Sequence, residues 1–171
     1  MSKLSKVSIR PATADDEAAL GRLGALLVTV HHAFDPDRFI APGPGTEPGY
    51  GRFLVSRLER DDAIVLVAED GDAVLGYAYA GLEGADWMAL RGPAGVLYDI
   101  IVDPARRREG VARALLKAVL EALAARGAPR VVLFSATQNA AAQRLFAAAG
   151  FRSTMIEMTR EMPGGPGNAP S

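Results

Sequence analysis

The sequence predicts a mixed α/β (α+β) fold in which helices cover a central β-sheet. Two patterns indicate this fold: an aspartate–glycine pair joins two strand-like runs, and a strand–helix–strand order then occurs twice in succession. With 171 residues, of which 49% are hydrophobic and 23% charged, the chain has the size and composition of one globular domain. We therefore expect a single domain at residues 1–162 and a flexible tail at 163–171.

The N-terminal elements follow from short local signals. The run VSIRPAT at residues 7–13 predicts a strand that ends at Pro11. Thr13 followed by Asp16 resembles a capping box, which predicts a helix over about 14–33. The apolar residues of this helix recur at helical spacing: Leu20, Leu23, Leu27 and Val30.

The middle of the chain predicts a loop, a short helix and a hairpin. Proline and glycine dominate residues 35–51, which are expected to be mostly loop, and an amphipathic helix is expected around 52–60. The runs at 63–69 and 73–81 are joined by a DG pair, whose glycine supplies the positive φ that a tight hairpin turn requires.

A strand at 96–103 leads through Pro104 into a helix over about 110–126, which Gly127 ends. The side chains predicted to face inward from this helix are Leu115, Leu116, Val119, Leu120 and Leu123. A short apolar strand at 131–136, a helix through 139–149 and a last strand at 151–161 complete the prediction.

Composition excludes several classes of function. A formal net charge of −1 gives no general attraction to nucleic acid or to an anionic membrane surface. The chain has no cysteine, which excludes disulfides and thiol catalysis and suits a reducing cytoplasm. No apolar run approaches the ~20 residues that span a bilayer, and no secretory signal core is present, so we expect a cytoplasmic protein.

The stretch RRREGVA, residues 106–112, places three arginines and a glycine where a strand gives way to a helix. The first turn of a helix exposes unpaired amide groups and the positive end of the helix dipole, so this junction predicts an anion site, best suited to a diphosphate. Neither a Walker motif nor a dinucleotide-binding glycine motif is present. A solvated basic helix start without a ligand is the alternative interpretation.

Residues 107–112 match the pattern Arg/Gln-x-x-Gly-x-Gly/Ala, with the strand VLYDIIVDP before it and NAAAQRLFAAAGF after it. In this order the three motifs resemble the GCN5-related N-acetyltransferase (GNAT) family over nearly the whole chain. The resemblance implies a mostly antiparallel sheet with a V-shaped split between the fourth and fifth strands. It also implies acetyl-CoA as co-substrate, bound in that split.

The resemblance also assigns binding roles to particular residues. Backbone groups of Ile101 and Val102 are expected to pair with the pantetheine arm of CoA. The positions expected to hold the diphosphate are Arg107, Arg108, Glu109, Gly110, Val111 and Ala112 through their amides, with Arg113 adding charge. Asn139 matches a position that contacts the CoA arm in the family, although its type also suits an ordinary helix cap. Phe146 occupies a position where many relatives have a tyrosine.

Acetyl transfer to an amine needs a base, and Asp99 is our first candidate. On the predicted strand it shares a face with Leu97 and Ile101, and apolar surroundings push the pKa of a carboxyl group upward towards a useful range. His31 is the second candidate, because histidine titrates near neutral pH. Each has an ordinary alternative: a satisfied carboxylate for Asp99, and for His31 a partly buried histidine at the edge of the core, which its register with Leu20 and Leu27 favours. Adjacent His31 and His32 do not predict a metal site.

Phe146 has no proton to give to the leaving thiolate, so the resemblance leaves that donor open among water, the product ammonium, Tyr79, Tyr98 and Ser135. The predicted function is direct acetyl transfer from acetyl-CoA to a primary amine of a small molecule or peptide. A domain that binds acyl-CoA without turnover is the alternative, and general anion or RNA binding is a third hypothesis. A homodimer is expected by resemblance only.

Overall fold

The structure is a computed structural model and describes residues 7–164. Five strands form a single sheet and four α-helices accompany them in this part of the chain. Their bounds are β1 (Ser8–Pro11), α1 (Glu17–Phe34), α2 (Thr46–Arg57), β2 (Ala63–Asp70), β3 (Ala73–Glu83), β4 (Ala94–Val102), α3 (Val111–Ala125), β5 (Val131–Leu133) and α4 (Ala140–Ala148).

The sheet has the order β1-β2-β3-β4-β5, and every neighbouring pair is antiparallel except β4 with β5, which is parallel. The helix α3 provides the crossover that a parallel pair requires. The mixed, mostly antiparallel sheet flanked by helices confirms the predicted fold class.

Strands β4 and β5 pair over only part of their length. Their register ends at Leu97 opposite Leu133, whereas β4 remains paired with β3 as far as Val102. Beyond Leu97, β4 therefore has a strand neighbour on one side only within residues 7–164. This is the split between the fourth and fifth strands that the resemblance implied.

The chain forms two compact units. The first contains the described residues up to Leu27 and those from Gly43 to Phe134, and therefore the whole sheet. On one sheet face, α1 and α2 bury a core with β2, β3 and β4; its members include Leu20, Leu23, Leu54, Val65, Val67, Tyr77 and Ile101. On the other face, α3 buries Leu115, Leu116, Val119 and Leu123, as its periodicity predicted, whereas Leu120 is only partly buried.

The second unit consists of Val28–Pro42 and the chain from Ser135 onwards. Within it, the guanidinium of Arg38 pairs with the carboxylate of Glu157. The rings of Phe146 and Phe151 meet edge to face at 5.9 Å between centroids. The prediction of one domain over residues 1–162 stays a prediction.

Two local predictions are confirmed. The hairpin of β2 and β3 turns at Gly71, which has a φ of 61°, and the Asp16 carboxylate accepts from the Thr13 amide at 2.8 Å, as a capping box requires. The predicted start of the second helix is wrong, because α2 begins at Thr46 rather than near residue 52. Pro48 is tolerated there, since amide groups in the first helical turn lack intrahelical acceptors.

The predicted last strand at 151–161 is wrong. These residues follow Gly150 without forming a helix or strand, and Met155, Ile156 and Met158 are each more than 70% exposed. Alternating apolar residues meet the pattern of a strand, but a strand also needs a neighbour for its backbone hydrogen bonds. No segment in the described part of the chain provides that neighbour. Most of the predicted tail, 165–171, lies outside the described residues.

Candidate active site

The turn that precedes α3 presents backbone amides to solvent. Gly110 caps the helix in the left-handed region, with a φ of 81°, and Arg108 also has a positive φ, of 67°. The Arg107 amide donates to the Pro104 carbonyl at 3.4 Å, and the first backbone hydrogen bond of α3 runs from the Ala114 amide to the Gly110 carbonyl at 3.0 Å. The amides of residues 111–113 therefore precede the hydrogen-bonded part of the helix.

The geometry at Gly110 leaves room for an anion. A Cβ atom added at this glycine would meet no atom of the chain within 4 Å, so the requirement for glycine is conformational. Arg108, which is not glycine, holds its left-handed conformation at a cost of about 1 kcal/mol. Alternating backbone conformations of this kind turn successive amides towards a common point, where an anion can bind.

The arginines around this turn differ in their partners. Arg106 donates to both carboxylate oxygens of Glu109, at 2.9 and 3.1 Å, and to Asp70 in the β2–β3 turn at 3.0 Å. Arg106 therefore links the turn to the sheet. Its place in the arginine cluster suggested a mobile phosphate ligand, but Glu109 and Asp70 hold its side chain. Arg107 and Arg108 are exposed, and no carboxylate of residues 7–164 forms an ion pair with them.

Arg113, one turn into α3, is also exposed and has no carboxylate partner in the described chain. With Arg107 and Arg108, it adds positive charge to the exposed end of the helix, where the dipole is already positive. Glu109 contributes its amide to the turn, while its side chain is held by Arg106. Val111 is buried and anchors the turn to the core, and Ala112 is partly exposed.

Ile101 and Val102 form the end of β4 and are buried, at 9% and 8% exposure. They pair with Tyr77 and Gly76 of β3, and their position falls beyond the last β4–β5 pair. The edge of β4 opposite β3 is thus the edge available to an extended ligand arm. Their predicted pairing with the pantetheine arm rests on this placement.

Asp99, two residues beyond the last β4–β5 pair, is held by two tyrosine hydroxyls. Tyr50 of α2 donates to its Oδ2 atom at 2.6 Å, and Tyr77 of β3 donates to the same atom at 3.0 Å. Burial, followed by the nearby charge of Asp99, raises the pKa of both tyrosines well above the ordinary value. Both hydroxyls are therefore protonated at neutral pH and act as hydrogen-bond donors to the carboxylate.

The register of β3 and β4 explains why Asp99 lies among these tyrosines. Tyr77 pairs with Ile101 and Tyr79 with Asp99, so the four side chains share one face of the sheet. This is the face that α1 and α2 cover. The prediction that Asp99 shares a face with Ile101 is confirmed.

The predicted shared face of Asp99 and Leu97 is wrong. The register shifts between Tyr79, which pairs with Asp99, and Ala80, which pairs with Leu97. Tyr98 is therefore an extra residue of β4, a β-bulge, and Leu97 faces the opposite side of the sheet. The bulge turns both Tyr98 and Asp99 towards the α1–α2 face, where the Tyr98 ring lies 4.8 Å from that of Tyr79.

A close helix contact positions Tyr50 on Asp99. A Cβ atom added at Gly24 of α1 would lie 2.1 Å from the Tyr50 ring, so this ring occupies the space that any larger side chain on α1 would need. The sequence analysis missed Tyr50, because it falls in a segment interpreted as loop. Tyr77 had a usable signal, since its spacing from Tyr79 places both on one face of a strand.

Three predicted site residues belong to the second unit. Asn139 caps α4, and its side chain accepts from the Ala142 amide at 3.2 Å. Phe146 is buried at 7% exposure. The partly exposed ring of His31 meets the rings of Phe34 and Phe39 edge on, at 5.8 and 5.1 Å. The cap at Asn139 supports its ordinary interpretation, and the binding and catalytic roles of the three residues stay predictions.

Comparison with known proteins identifies the family. The sequence profile described as the acetyltransferase (GNAT) family matches residues 28–151. The chain belongs to this family. A mycothiol acetyltransferase of Clavibacter michiganensis is 29% identical over 165 residues, which are 89% of this chain and 52% of the relative. One from Thermobispora bispora is 35% identical over 122 residues, 65% of this chain and 40% of the relative.

This family member thus spans about half the length of the curated relatives it matches. Solved structures with the same fold include a mutant BH1408 protein from Bacillus halodurans, with a TM-score of 0.77 at 22% identity, covering 91% of this chain and 99% of that one. A GCN5-related N-acetyltransferase from Ralstonia eutropha has a TM-score of 0.68 at 23% identity and covers 92% and 99%. At these identities the likeness shows the fold.

Residues 7–164 contain no group of three or more His, Asp or Glu side chains placed to hold a metal ion. None of the helices described has the length and apolar character needed to cross a bilayer.

Proposed function

We propose that this chain is an acetyl-CoA-dependent N-acetyltransferase that transfers the acetyl group directly to a primary amine. The observation that carries the proposal is the position of the Asp99 carboxylate. Asp99 lies on β4 just beyond the last pair of this strand with β5, and the hydroxyls of Tyr50 and Tyr77 hold its carboxylate. A positioned carboxylate beside an opening in the sheet, with an anion-binding turn at the end of the same strand, suits a reaction between an amine and a CoA thioester.

In the proposed reaction the amine nitrogen attacks the thioester carbonyl carbon, a C–N bond forms and the C–S bond breaks. Asp99 accepts the proton that the nitrogen loses, and the two tyrosines keep its carboxylate in place. The amides of residues 107–112, with Arg107, Arg108 and Arg113, hold the diphosphate of the co-substrate. Ile101 and Val102 align the pantetheine arm along β4.

The thiolate also needs a proton, and Phe146 cannot supply one. The Tyr98 hydroxyl donates to Glu83 at 2.6 Å, so it already has an acceptor. Tyr79, Ser135, water and the product ammonium remain the proposed sources. The named activity of the mycothiol acetyltransferases supports acetyl transfer.

Release of free CoA thiol from acetyl-CoA in the presence of a panel of amines tests the function. We expect release in the wild type and a decrease in kcat of about 10²–10⁴-fold in Asp99→Asn, because the amine proton then has no base. Asp72→Asn, in the exposed β2–β3 turn, is the matched control and keeps wild-type turnover. Tight binding of acetyl-CoA without thiol release for any amine would favour the non-catalytic acyl-CoA-binding alternative instead.

We also propose that the protein is a homodimer. The exposed side chains of Met155, Ile156, Met158 and Met162 support this, because a cluster of large apolar residues in one exposed segment is typical of an interaction surface. Sedimentation of the wild type and of a double Ile156→Ser, Met158→Ser variant tests it. A monomeric wild type would contradict the proposal, as would a dimer that the double substitution leaves intact. The cytoplasmic location stays a prediction.

A further inference from the structure

A pocket of about 200 Å³ opens on the first unit, lined in part by Arg57, Arg60, Asp62, Tyr79 and Tyr98. Tyr79 is the direct sheet partner of Asp99, and Tyr98 is the bulge residue that precedes it. The pocket and the proposed base therefore share one face of the sheet. Two of its lining residues are thus immediate neighbours of Asp99 in the sheet, which makes the pocket a candidate for binding part of the acceptor.

The walls of the pocket are aromatic and held in place. The Tyr79 ring lies 4.8 Å from that of Tyr98 and 5.8 Å from that of Phe53 on α2. The Tyr98 hydroxyl is fixed by Glu83, which is itself bound by Arg91 at 2.5 Å. Burial, followed by the bond to Glu83, raises the pKa of Tyr98, so its ring carries no charge at neutral pH. These rings can contact the body of an acceptor.

The charged side chains that line the pocket carry a net positive charge. Arg60 forms a two-point ion pair with Asp62, at 2.7 and 2.9 Å. Arg57 has no carboxylate partner within residues 7–164; its guanidinium lies 4.9 Å from the centre of the Phe53 ring and its Nε donates to Ser56 at 3.1 Å. The lining thus keeps one unmatched positive charge, on a side chain whose planar fork fits a carboxylate.

We propose that the acceptor is a primary amine that also carries a carboxylate, bound by Arg57 over the Tyr79–Tyr98 surface. This inference rests on the proposed function and specifies its substrate class. One unmatched cation balances one carboxylate, whereas a dianionic phosphate would leave a negative charge in excess. The rings of Tyr79 and Tyr98 can contact the part of the acceptor that lies between its two polar ends.

Two matched pairs of amines test the substrate class: phenylalanine with phenylalaninamide, and 4-(aminomethyl)benzoate with 4-(aminomethyl)benzamide. Within each pair only the carboxylate changes, and the two pairs differ in the distance from amine to carboxylate. We expect kcat/KM for the acid of at least one pair to exceed that of its amide by roughly tenfold or more, mainly through KM. Equal use of acid and amide in both pairs would overturn the inference while leaving the acetyltransferase intact.

Variants of α2 assign the preference to Arg57. Arg57→Gln should remove the preference for the acid, because it lowers kcat/KM for the acid far more than for the amide, and Arg57→Lys should restore part of it. Arg52→Gln, an exposed arginine on the same helix and outside the pocket, should behave as the wild type. A preference for the acid that survives in Arg57→Gln would contradict the assignment.

A binding measurement separates failure of the inference from failure of the proposed function. If no amine is acetylated, the proposed function fails, and calorimetric titration with N-acetylphenylalanine and with 4-(acetamidomethyl)benzoate then tests the pocket alone. The proposal predicts a Kd at least about tenfold higher in Arg57→Gln than in Arg52→Gln for one of the two acids. Equal Kd values for both acids in the two variants would overturn it.

Discussion

Both ends of α3 carry a glycine with a left-handed backbone and neighbouring arginines. Gly110 precedes the helix with a φ of 81°, and Gly127 follows it with a φ of 82°. At the C-terminal end, the Gly127 and Ala128 amides return to carbonyls of the last turn, at 2.9 and 3.1 Å. Arg126 donates to the Asp61 and Ala63 carbonyls at 2.9 and 2.8 Å. This end is closed by the chain itself.

The N-terminal end also has a left-handed glycine and arginines, but within residues 7–164 its first-turn amides and most of its arginine side chains lack such internal partners. The amides of residues 111–113 precede the helical hydrogen bonds, and no residue in the described chain pairs as a carboxylate with Arg107, Arg108 or Arg113. The difference shows that a glycine and arginines at a helix end do not by themselves make a binding site. The hydrogen-bond partners at each end determine its role. Donors that bond to acceptors within the chain stabilise the fold, whereas donors without such acceptors are available to an external anion.

The largest expected effect is a difference in CoA affinity between substitutions at Gly110 and at Gly127. Gly110→Asp should weaken CoA binding by at least about 100-fold, because it places a carboxylate against the bound diphosphate. Gly127→Asp, at the same φ and with equally open surroundings, should share the backbone cost and leave CoA affinity unchanged. Calorimetry with CoA measures both, and unfolding in urea reports the shared cost. Unchanged CoA affinity in Gly110→Asp would refute the site.

The second prediction concerns the ion pair between Arg10 and Asp16, which stabilises the fold. Arg10 donates to both oxygens of the buried Asp16 carboxylate, at 2.8 and 2.9 Å, and this hydrogen bonding lowers the pKa of Asp16 despite its burial. A lowered folded-state pKa stabilises the protein above the unfolded value near 4, and the contribution is lost as pH falls through the folded value.

Asp16→Asn should therefore cost about 2 kcal/mol of unfolding free energy at pH 7, and the difference from wild type should shrink below about pH 4. CoA affinity should not change. Asp15→Asn, an exposed neighbour, is the control and should leave the pH dependence as it is. Urea unfolding between pH 2 and 7 measures the effect; a difference that stays constant over this range would show that the ion pair is not its source.

The smallest effect separates the arginines at the two ends of α3. A double Arg107→Gln, Arg108→Gln variant should raise the Kd for CoA by roughly tenfold and reduce its dependence on salt, with little change in stability. Arg126→Gln should do the reverse, with a stability loss of about 1 kcal/mol and an unchanged Kd. Thermal unfolding with and without CoA reports both quantities. Equal effects on CoA binding at the two ends would remove the distinction between them.

Local patterns predicted most elements of the first unit, but not the start of α2, because most of these elements carried their own signal. The hairpin glycine, the capping residues Thr13 and Asp16 and the apolar stripe of α3 depend on neighbours close in sequence. The β-bulge at Tyr98 was not predictable in this way, since it depends on the register with a strand about 20 residues away. The failed strand at 151–161 shows the same limit, because alternation does not provide a partner strand.

The residues of the candidate site also differ in whether a local sequence pattern could predict them. The turn at residues 107–112 and Asp99 were found because their residue types and spacing suggest their chemistry. Tyr50 and Arg57 were missed, since only the packing of α2 in the tertiary fold brings Tyr50 to Asp99 and Arg57 to the pocket. Positions that act through the tertiary fold leave little trace in a single sequence.

A crystal structure with bound CoA tests the central claim most directly. We predict diphosphate oxygens within hydrogen-bond distance of the amides of Val111, Ala112 and Arg113, and a pantetheine arm alongside Ile101 and Val102 of β4. A diphosphate bound away from this turn, or a turn filled by its own side chains in the complex, would contradict the account.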